Sequence, residues 1–585
     1  MKRERNETMN LLQGLMGAAG CASGTAVVIE NRDIVIEKRL VKEPETEISG
    51  IQEARKKYDL QLMELEMKAE KEVGEDGAGI FLAYREMLSD DVFFDKIFSQ
   101  IRLEKVNAEY AIDQERAELA GIFEQMDDAY LKERATDINN VCIELIAVIQ
   151  KVDRGMGFDR SRGSDLIAVA EDLTPADTIK MDKSILKGII TETGGVTSHT
   201  VILAKTLGIP AIVGVKGARS AISTGDAVLV YGDEGKLVIC PGEAEKKEFE
   251  TRLDQESRKK ALFDSAKSRP AVTLDGKTVR VNINSGDSDS IANFKCDECD
   301  GVGLFRTEFI YMDHSDYPTE EEQFEIYRSM AQMNQGKELI IRTLDIGGDK
   351  QLEYMDLPKE SNPFLGYRAI RLCLERVDVF KTQLRAILRA GVFGDVKIMF
   401  PMIVNLEELL KAKEILEEAK KELKAEGTDF RADIPVGIMV ETPAAVLLSD
   451  KLAEEVSFFS IGSNDLIQYT TASDRMNERV QSLYDSFNIS VLRSIRMVCE
   501  NAARHGVAVG ICGEAASDTK LVPLWVAMGV DELSMVPSQV AKVKYMIGRL
   551  SKEEMQRELA EVLAMGRIQD VKDRLAEIES KLLNQ

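Results

Sequence analysis

Eight short apolar segments, most of them ending in polar or charged residues, alternate with helical stretches in the second half of the chain. They cover 279–284, 301–308, 339–345, 397–402, 436–441, 458–465, 507–514 and 532–535. Strands that alternate with helices favour a parallel sheet, and that number matches a closed (β/α)8 TIM barrel, whose active site lies at the C-terminal ends of its strands. The pattern predicts such a barrel over 271–585. Any barrel can carry it, so the residues at the strand ends have to name the chemistry.

Those residues form a consistent set. Arg306 closes the second segment and Arg342 the third; Arg368 lies in Asn362-Pro363-Phe364-Leu365-Gly366-Tyr367-Arg368, and Arg475 follows the sixth. Guanidinium groups that converge suit a small substrate carrying phosphate and carboxylate, through bidentate pairing. Any one of them, taken alone, is equally an ordinary salt-bridged barrel arginine. Glu441 and Asp465 end the fifth and sixth segments. One or two carboxylates plus substrate phosphate oxygens is the usual way to hold Mg2+. Cys512 ends the seventh, where a thiol can donate a proton or be an inert buried cysteine. Together they suggest phosphoryl transfer from a small acid, with protonation of carbon.

A second stretch lies far upstream. Gly188-Ile189-Ile190-Thr191 reads as a strand, and Thr193-Gly194-Gly195-Val196-Thr197-Ser198-His199-Thr200 turns it into a helix that runs to Leu207, closed by Gly208 with Pro210 beyond. His199 falls in the first helical turn, where free N–H groups and the positive end of the helix dipole suit a bound phosphate. The same field disfavours imidazolium, so His199 is expected to be neutral near pH 7 and able to act as a nucleophile. The plainer alternative is a surface histidine at a helix start. There are only three histidines in all, which excludes a histidine-rich metal site.

Around this stretch, strand patterns at 25–29, 165–170, 188–191, 211–215, 227–231 and 236–240 predict a compact α/β unit over 1–45 and 151–240. An all-α insertion over 46–150 interrupts it. In that insertion Tyr58, Leu62 and Leu65, then Ile80, Ala83 and Met87, then Ile138, Val141 and Leu145 recur at helical spacing. Residues 241–270, charged and poor in apolar residues, read as a connecting helix. With 585 residues the chain exceeds what one core serves. Its net charge of −25 argues against nucleic acid as a partner and is compatible with a small basic protein. Eight scattered cysteines do not form a disulfide framework, and the lone Cys296-Asp297-Glu298-Cys299 lacks the second pair a zinc site needs. No apolar run is long enough to span a membrane. The start, basic and then apolar up to Cys21, faintly resembles a lipoprotein signal, but it is short and interrupted by glycine and polar residues. It reads as a ragged lead into a first strand at Thr25, in a cytoplasmic protein.

The ordered set GGVTSHTVILAK, GVGLFRTEFIYMD, RTLDIGGDK, NPFLGYRAIR, IMFPMI, VETPAA, FFSIGSNDLIQYTTASDR and GICGE resembles enzyme I of the sugar phosphotransferase system over about residues 14–580. The resemblance implies a phosphohistidine α/β domain with a helical docking insertion, and a barrel that binds phosphoenolpyruvate and pairs into a homodimer. It implies Mg2+ on Glu441 and Asp465, and phosphoenolpyruvate on Arg306, Arg342, Asn464, Asp465 and Arg475, with Arg368 nearby. Cys512 would protonate the enolate, His199 would take the phosphoryl group on Nε2 and pass it to the phosphocarrier HPr, and Thr178 would orient the histidine. Domain swing about the linker would carry His199 between barrel and carrier. Val196 and Lys205 stand where the family usually has arginine. Losing one cation and weakening another near the phosphohistidine is expected to reduce phosphate stabilisation by about 1–3 kcal/mol if the contact is desolvated. Related dikinases add a large nucleotide-binding domain, for which the chain has neither room nor a Gly-rich loop followed by lysine. A paralogue that senses phosphoenolpyruvate or serves another acceptor is the other alternative.

Overall fold

A computed structural model of the chain describes residues 11–29, 34–124, 129–152, 163–173, 177, 179, 181–182, 184–194, 200–201, 204–205, 208–286, 296–312, 314–348, 352–358, 360–475, 477 and 479–584. It divides into two compact units, residues 1–256 and 257–585. Val196, His199 and Thr178 lie outside the described residues. Among the described residues no helix is long and apolar enough to cross a membrane.

The first unit holds an eight-stranded sheet of β1 (Leu11–Gln13), β2 (Leu15–Ala18), β3 (Cys21–Val28), β4 (Leu166–Ala170), β5 (Leu186–Thr191), β6 (Ala211–Val213), β7 (Ala227–Tyr231) and β8 (Lys236–Ile239), in the order β1-β8-β7-β3-β4-β5-β6-β2. The central strands β3 to β6 run parallel and the flanking pairs antiparallel. Residues 11–18 are strand, not a ragged lead, and β3 begins at Cys21 rather than Thr25. One short segment, bent at Gly14, pairs with β8 on one side and β6 on the other. A Cβ at Gly14 would lie 2.5 Å from the Val213 carbonyl oxygen, so only glycine permits this approach. The glycine that breaks the apolar run in the sequence therefore lets the run cover both sheet edges.

Between β3 and β4 stand α1 (Pro44–Ser89), α2 (Asp91–Glu104), α3 (Ala108–Glu124) and α4 (Ala129–Gln150). Tyr58, Leu62, Ile138, Val141 and Leu145 are buried in their shared core, with Leu65 packed at its margin. In the middle group the buried face is Phe81, Tyr84 and Leu88, while Ile80, Ala83 and Met87 are only partly buried. The helix turns its two large rings inward because they bury the most apolar area. Helix α5 (Glu243–Asp264) follows β8; its buried residue is Phe249, stacked edge-on to Tyr231 at 5.3 Å between ring centroids.

In the second unit all eight predicted segments form strands: β9 (Arg280–Ser285), β10 (Gly301–Phe305), β11 (Glu338–Arg342), β12 (Asp395–Phe400), β13 (Val436–Val440), β14 (Phe458–Gly462), β15 (Ala508–Cys512) and β16 (Glu532–Met535). They close into an all-parallel barrel in sequence order, β16 returning to β9. Several strands stop earlier than predicted. Arg306 and Glu441 lie one residue past β10 and β13, and Asp465 sits in the first turn of the helix Ser463–Thr471 rather than ending a strand.

A charged cluster built on two buried carboxylates, Glu338 and Glu532, lies near the strand starts of the barrel. Glu532 lies against Gly303, where a Cβ would come 2.0 Å from Oε1, so the glycine makes room for the carboxyl. Arg280 is 3.6 Å from Glu532 and 3.5 Å from Glu338, and Lys397 is 3.3 Å from Glu338. Burial, then the Glu338 charge, pushes Glu532 up to about 7. A carboxyl raised in the folded state stabilises the fold below the unfolded pKa and loses that contribution as pH rises through the folded value. Wild type is therefore expected to lose melting temperature between about pH 5 and 8 relative to Glu532→Gln, whose curve lacks this component. Thermal melts across that range test it; parallel curves would contradict a proton on Glu532.

Candidate active site

The barrel mouth opens into a cavity of about 570 Å³ lined by Arg306, Arg342, Arg368, Arg475, Glu441, Asn464, Asp465 and Cys512, together with Asp345, Tyr484 and an apolar floor of Leu304 and Met439. The structure thus brings together every barrel residue singled out in the sequence. They arrive from the ends of five strands and the loops after them, Arg306 after β10, Arg342 and Arg368 from β11, Glu441 after β13, Asn464, Asp465 and Arg475 after β14 and Cys512 from β15, which is why residues far apart in the chain meet here.

Arg342 ends β11 and is buried. Its Nη2 is 2.6 Å from Glu308 Oε1 and its Nη1 2.9 Å from Asp345 Oδ2. Its Nε is buried with no hydrogen-bond partner among the described residues. Arg368 donates from Nη2 to Asp345 Oδ1 at 2.8 Å, so Asp345 bridges the two guanidinium groups. Asp465 is 3.5 Å from Arg368 Nη2 and accepts from Arg475 Nη1 at 3.2 Å. Arg306 stands exposed at the rim. Asn464 Oδ1 accepts the Glu514 N–H at 3.3 Å. Sequence reasoning passed over Glu308 and Asp345, although both lie inside motifs already singled out. It read those motifs for their arginines, and nothing local tells which carboxylate a strand-end arginine will meet.

Glu441 is buried and accepts the Met402 N–H at 2.6 Å. Burial, then the charges of Asp465 and Asp345, raises its pKa well above the carboxylate range, against Arg342 and Arg368. Glu441 and Asp465, two hard oxygen donors lining the same cavity, fit a small divalent cation, whose charge would offset theirs. Cys512 is buried, with Sγ 3.5 Å from the Ile461 carbonyl oxygen. Burial pushes its thiol up to about 11, so it keeps its proton at neutral pH, as a donor must.

In the first unit, the described residues flank the histidine stretch on both sides. β5 ends at Thr191, whose Oγ1 donates to the Thr193 carbonyl at 2.7 Å, and Thr193 Oγ1 donates to the Glu171 carbonyl at 2.8 Å. Gly194 follows at φ +92°, a conformation that suits glycine. Thr200, Val201, Ala204 and Lys205 are helical; the first three are buried and Lys205 is exposed. Thr200 Oγ1 donates to the Leu173 carbonyl at 3.1 Å, and Gly208 is at φ +65°; the predicted helix end at Leu207 lies outside the described residues.

Three sequence families match the chain: PEP-utilising enzyme, N-terminal, over residues 13–134; PEP-utilising enzyme, mobile domain, over 163–235; and PEP-utilising enzyme, PEP-binding domain, over 260–552. The chain is similar to a phosphoenolpyruvate-protein phosphotransferase of Priestia megaterium, 42% identical over 96% of this chain and 97% of that one. It is equally similar to one from Geobacillus stearothermophilus, 42% identical over 96% of each chain. One from Bacillus subtilis is 41% identical over 96% of this chain and 98% of the relative.

Proposed function

The chain belongs to the phosphoenolpyruvate–protein phosphotransferase family, and on that premise we propose how its residues perform the transfer. The enzyme takes the phosphoryl group of phosphoenolpyruvate onto a histidine, releases pyruvate, and passes the group to the phosphocarrier protein HPr, the first step of the sugar phosphotransferase system. The observation that carries this reading is the barrel mouth, where arginines, a carboxylate pair and a protonated thiol line one cavity.

Arg306, Arg342 and Arg475, with Asn464, bind the phosphate and carboxylate of phosphoenolpyruvate, and Arg368 supports them. The buried Arg342 Nε is a donor in want of an acceptor, which an anionic oxygen supplies. Glu441 and Asp465 are the residues that would hold Mg2+, whose chemistry is to withdraw charge from the phosphoryl and enolate oxygens. His199 attacks phosphorus through Nε2: the P–N bond forms as the bond to the enolate oxygen breaks. Cys512 then gives its proton to the enolate methylene carbon, which makes the methyl group of pyruvate, and the thiolate regains a proton from solvent.

The rest of the chain serves that chemistry. Residues 1–45 and 151–240 form the histidine-bearing domain, where Thr178 orients His199, and residues 46–150 dock the carrier. Residues 241–270 link this half to the barrel at 271–585, which also pairs the chains into a homodimer in the cytoplasm. Val196 and Lys205 lower phosphate stabilisation at His199 without removing transfer.

Labelled phosphoenolpyruvate with Mg2+ and purified HPr tests the whole sequence. Acid-labile label is expected on the protein first and then on the carrier, with pyruvate released in step. Label that stays on the protein would point to another acceptor, and no label to a sensor.

A further inference from the structure

Phe364, in the short turn Pro363–Leu365, shares both of its charged neighbours with the mouth. The Arg368 guanidinium lies 5.8 Å from the ring centroid and that of Arg475 lies 5.7 Å from it. The same two groups also meet at Asp465. Two like charges are thus gathered by one carboxylate and one aromatic ring. The negative face of the ring attracts guanidinium and costs less to desolvate than a second carboxylate.

The ring is fixed from several sides. Tyr469 Oη donates to the Phe364 carbonyl at 2.5 Å and accepts from Arg368 Nη1 at 3.4 Å. Gly348 beside the ring is at φ +70°, a backbone conformation that favours glycine, and a Cβ there would touch the ring at 3.4 Å. The preceding Gly347, at φ +112°, makes way for Arg368, whose Cβ would be 2.5 Å from an added Cβ. The Glu360 carboxylate accepts the Tyr367 N–H at 2.9 Å, and Arg371 Nη1 donates to the Leu365 and Gly366 carbonyls at 2.9 and 2.7 Å. The turn is therefore built to place this ring against the two arginines.

We propose that Phe364 is a positioning residue for phosphoenolpyruvate: its π face holds Arg368 and Arg475 in the orientation the substrate anion needs. The proposal rests on the reading of the mouth as a phosphoenolpyruvate site. When Asp465 turns its charge toward a divalent cation, the ring is the partner the two guanidinium groups still share. An apolar side chain of similar volume fills the space but offers no such face.

The test replaces Phe364 in the full-length chain by 4-fluoro-, 3,5-difluoro- and pentafluorophenylalanine. These drain the ring face stepwise with little change in shape. Calorimetric titration with phosphoenolpyruvate in the presence of MgCl2, with every ring variant and the reference carrying His199→Ala so that binding is not followed by transfer, is expected to show affinity falling with each step, by roughly tenfold for the full series. Phe364→Leu should weaken binding as the perfluorinated ring does and Phe364→Trp should retain it, with melting temperatures recorded to separate loss of fold. A flat fluorination series, or a Leu variant that binds like wild type, would overturn the proposal. Wild type that binds no phosphoenolpyruvate would instead overturn the reading of the mouth.

Discussion

Incubated with labelled phosphoenolpyruvate and Mg2+, the His199→Ala variant is expected to carry no acid-labile label, while wild type carries it and loses it to HPr. No partial activity is expected on the proposed reading, in which this histidine is the covalent acceptor. Gly194 at φ +92° and the helical Thr200 bracket the stretch on its two sides. The variant should still bind phosphoenolpyruvate at the barrel with wild-type affinity, since the arginines proposed to hold the anion belong to the other unit. Loss of label with binding intact is the signature of a missing acceptor. Residual stable label would assign the phosphoryl group to another residue and sink this reading of His199.

Arg342→Lys is expected to be nearly as damaging by a different route. The guanidinium spans Glu308 and Asp345 at 2.6 and 2.9 Å, a fork that a single ammonium cannot reproduce. The substitution leaves a buried carboxylate short of its partner and lets Arg368, which leans on the same Asp345, shift. Removing one partner of a buried pair costs about 3–5 kcal/mol, so the melting temperature of the barrel should fall by roughly 5–10 °C. Turnover should fall further, with kcat/KM down about 10³-fold, because the anion loses the Arg342 Nε donor and the geometry of Arg368. Arg306→Lys is the contrast: exposed at the rim, it should weaken phosphoenolpyruvate binding while leaving the melting temperature within about 1 °C. Thermal melts and steady-state kinetics on the two variants separate the buried lock from the rim contact. Equal behaviour would mean that the Glu308–Asp345 bridge has no role in holding the site.

Much of this architecture was legible in the order of residues. Alternating apolar segments and helices announced the barrel, and the strand-end positions of Arg342 and Cys512 announced its mouth, because a β-strand hands its last residues to the same rim wherever it lies in the chain. Glycines marked the left-handed backbone at Gly194 and Gly208, since that conformation is a local property. The errors were also local in origin. Residues 11–18 are too short and too interrupted by glycine to announce strands, and they become strands only because β6 and β8 offer them edges. In α1 the periodicity was right, with Ile80 and Met87 packed at the margin of the core, while Phe81, Tyr84 and Leu88 go fully inward, a choice made by the helices packed against them.

Sequence by itself determined which residues could do chemistry and roughly which rim they would reach, through periodicity, turn chemistry and side-chain type. Tertiary structure alone decided who faces whom. Asp345 bridges Arg342 and Arg368, Asp465 gathers Arg368 and Arg475, and Phe364 lies against both of the latter, over separations of up to about a hundred residues. Those meetings follow from barrel closure and strand register, which sum over many weak local preferences. No single stretch of sequence contains them.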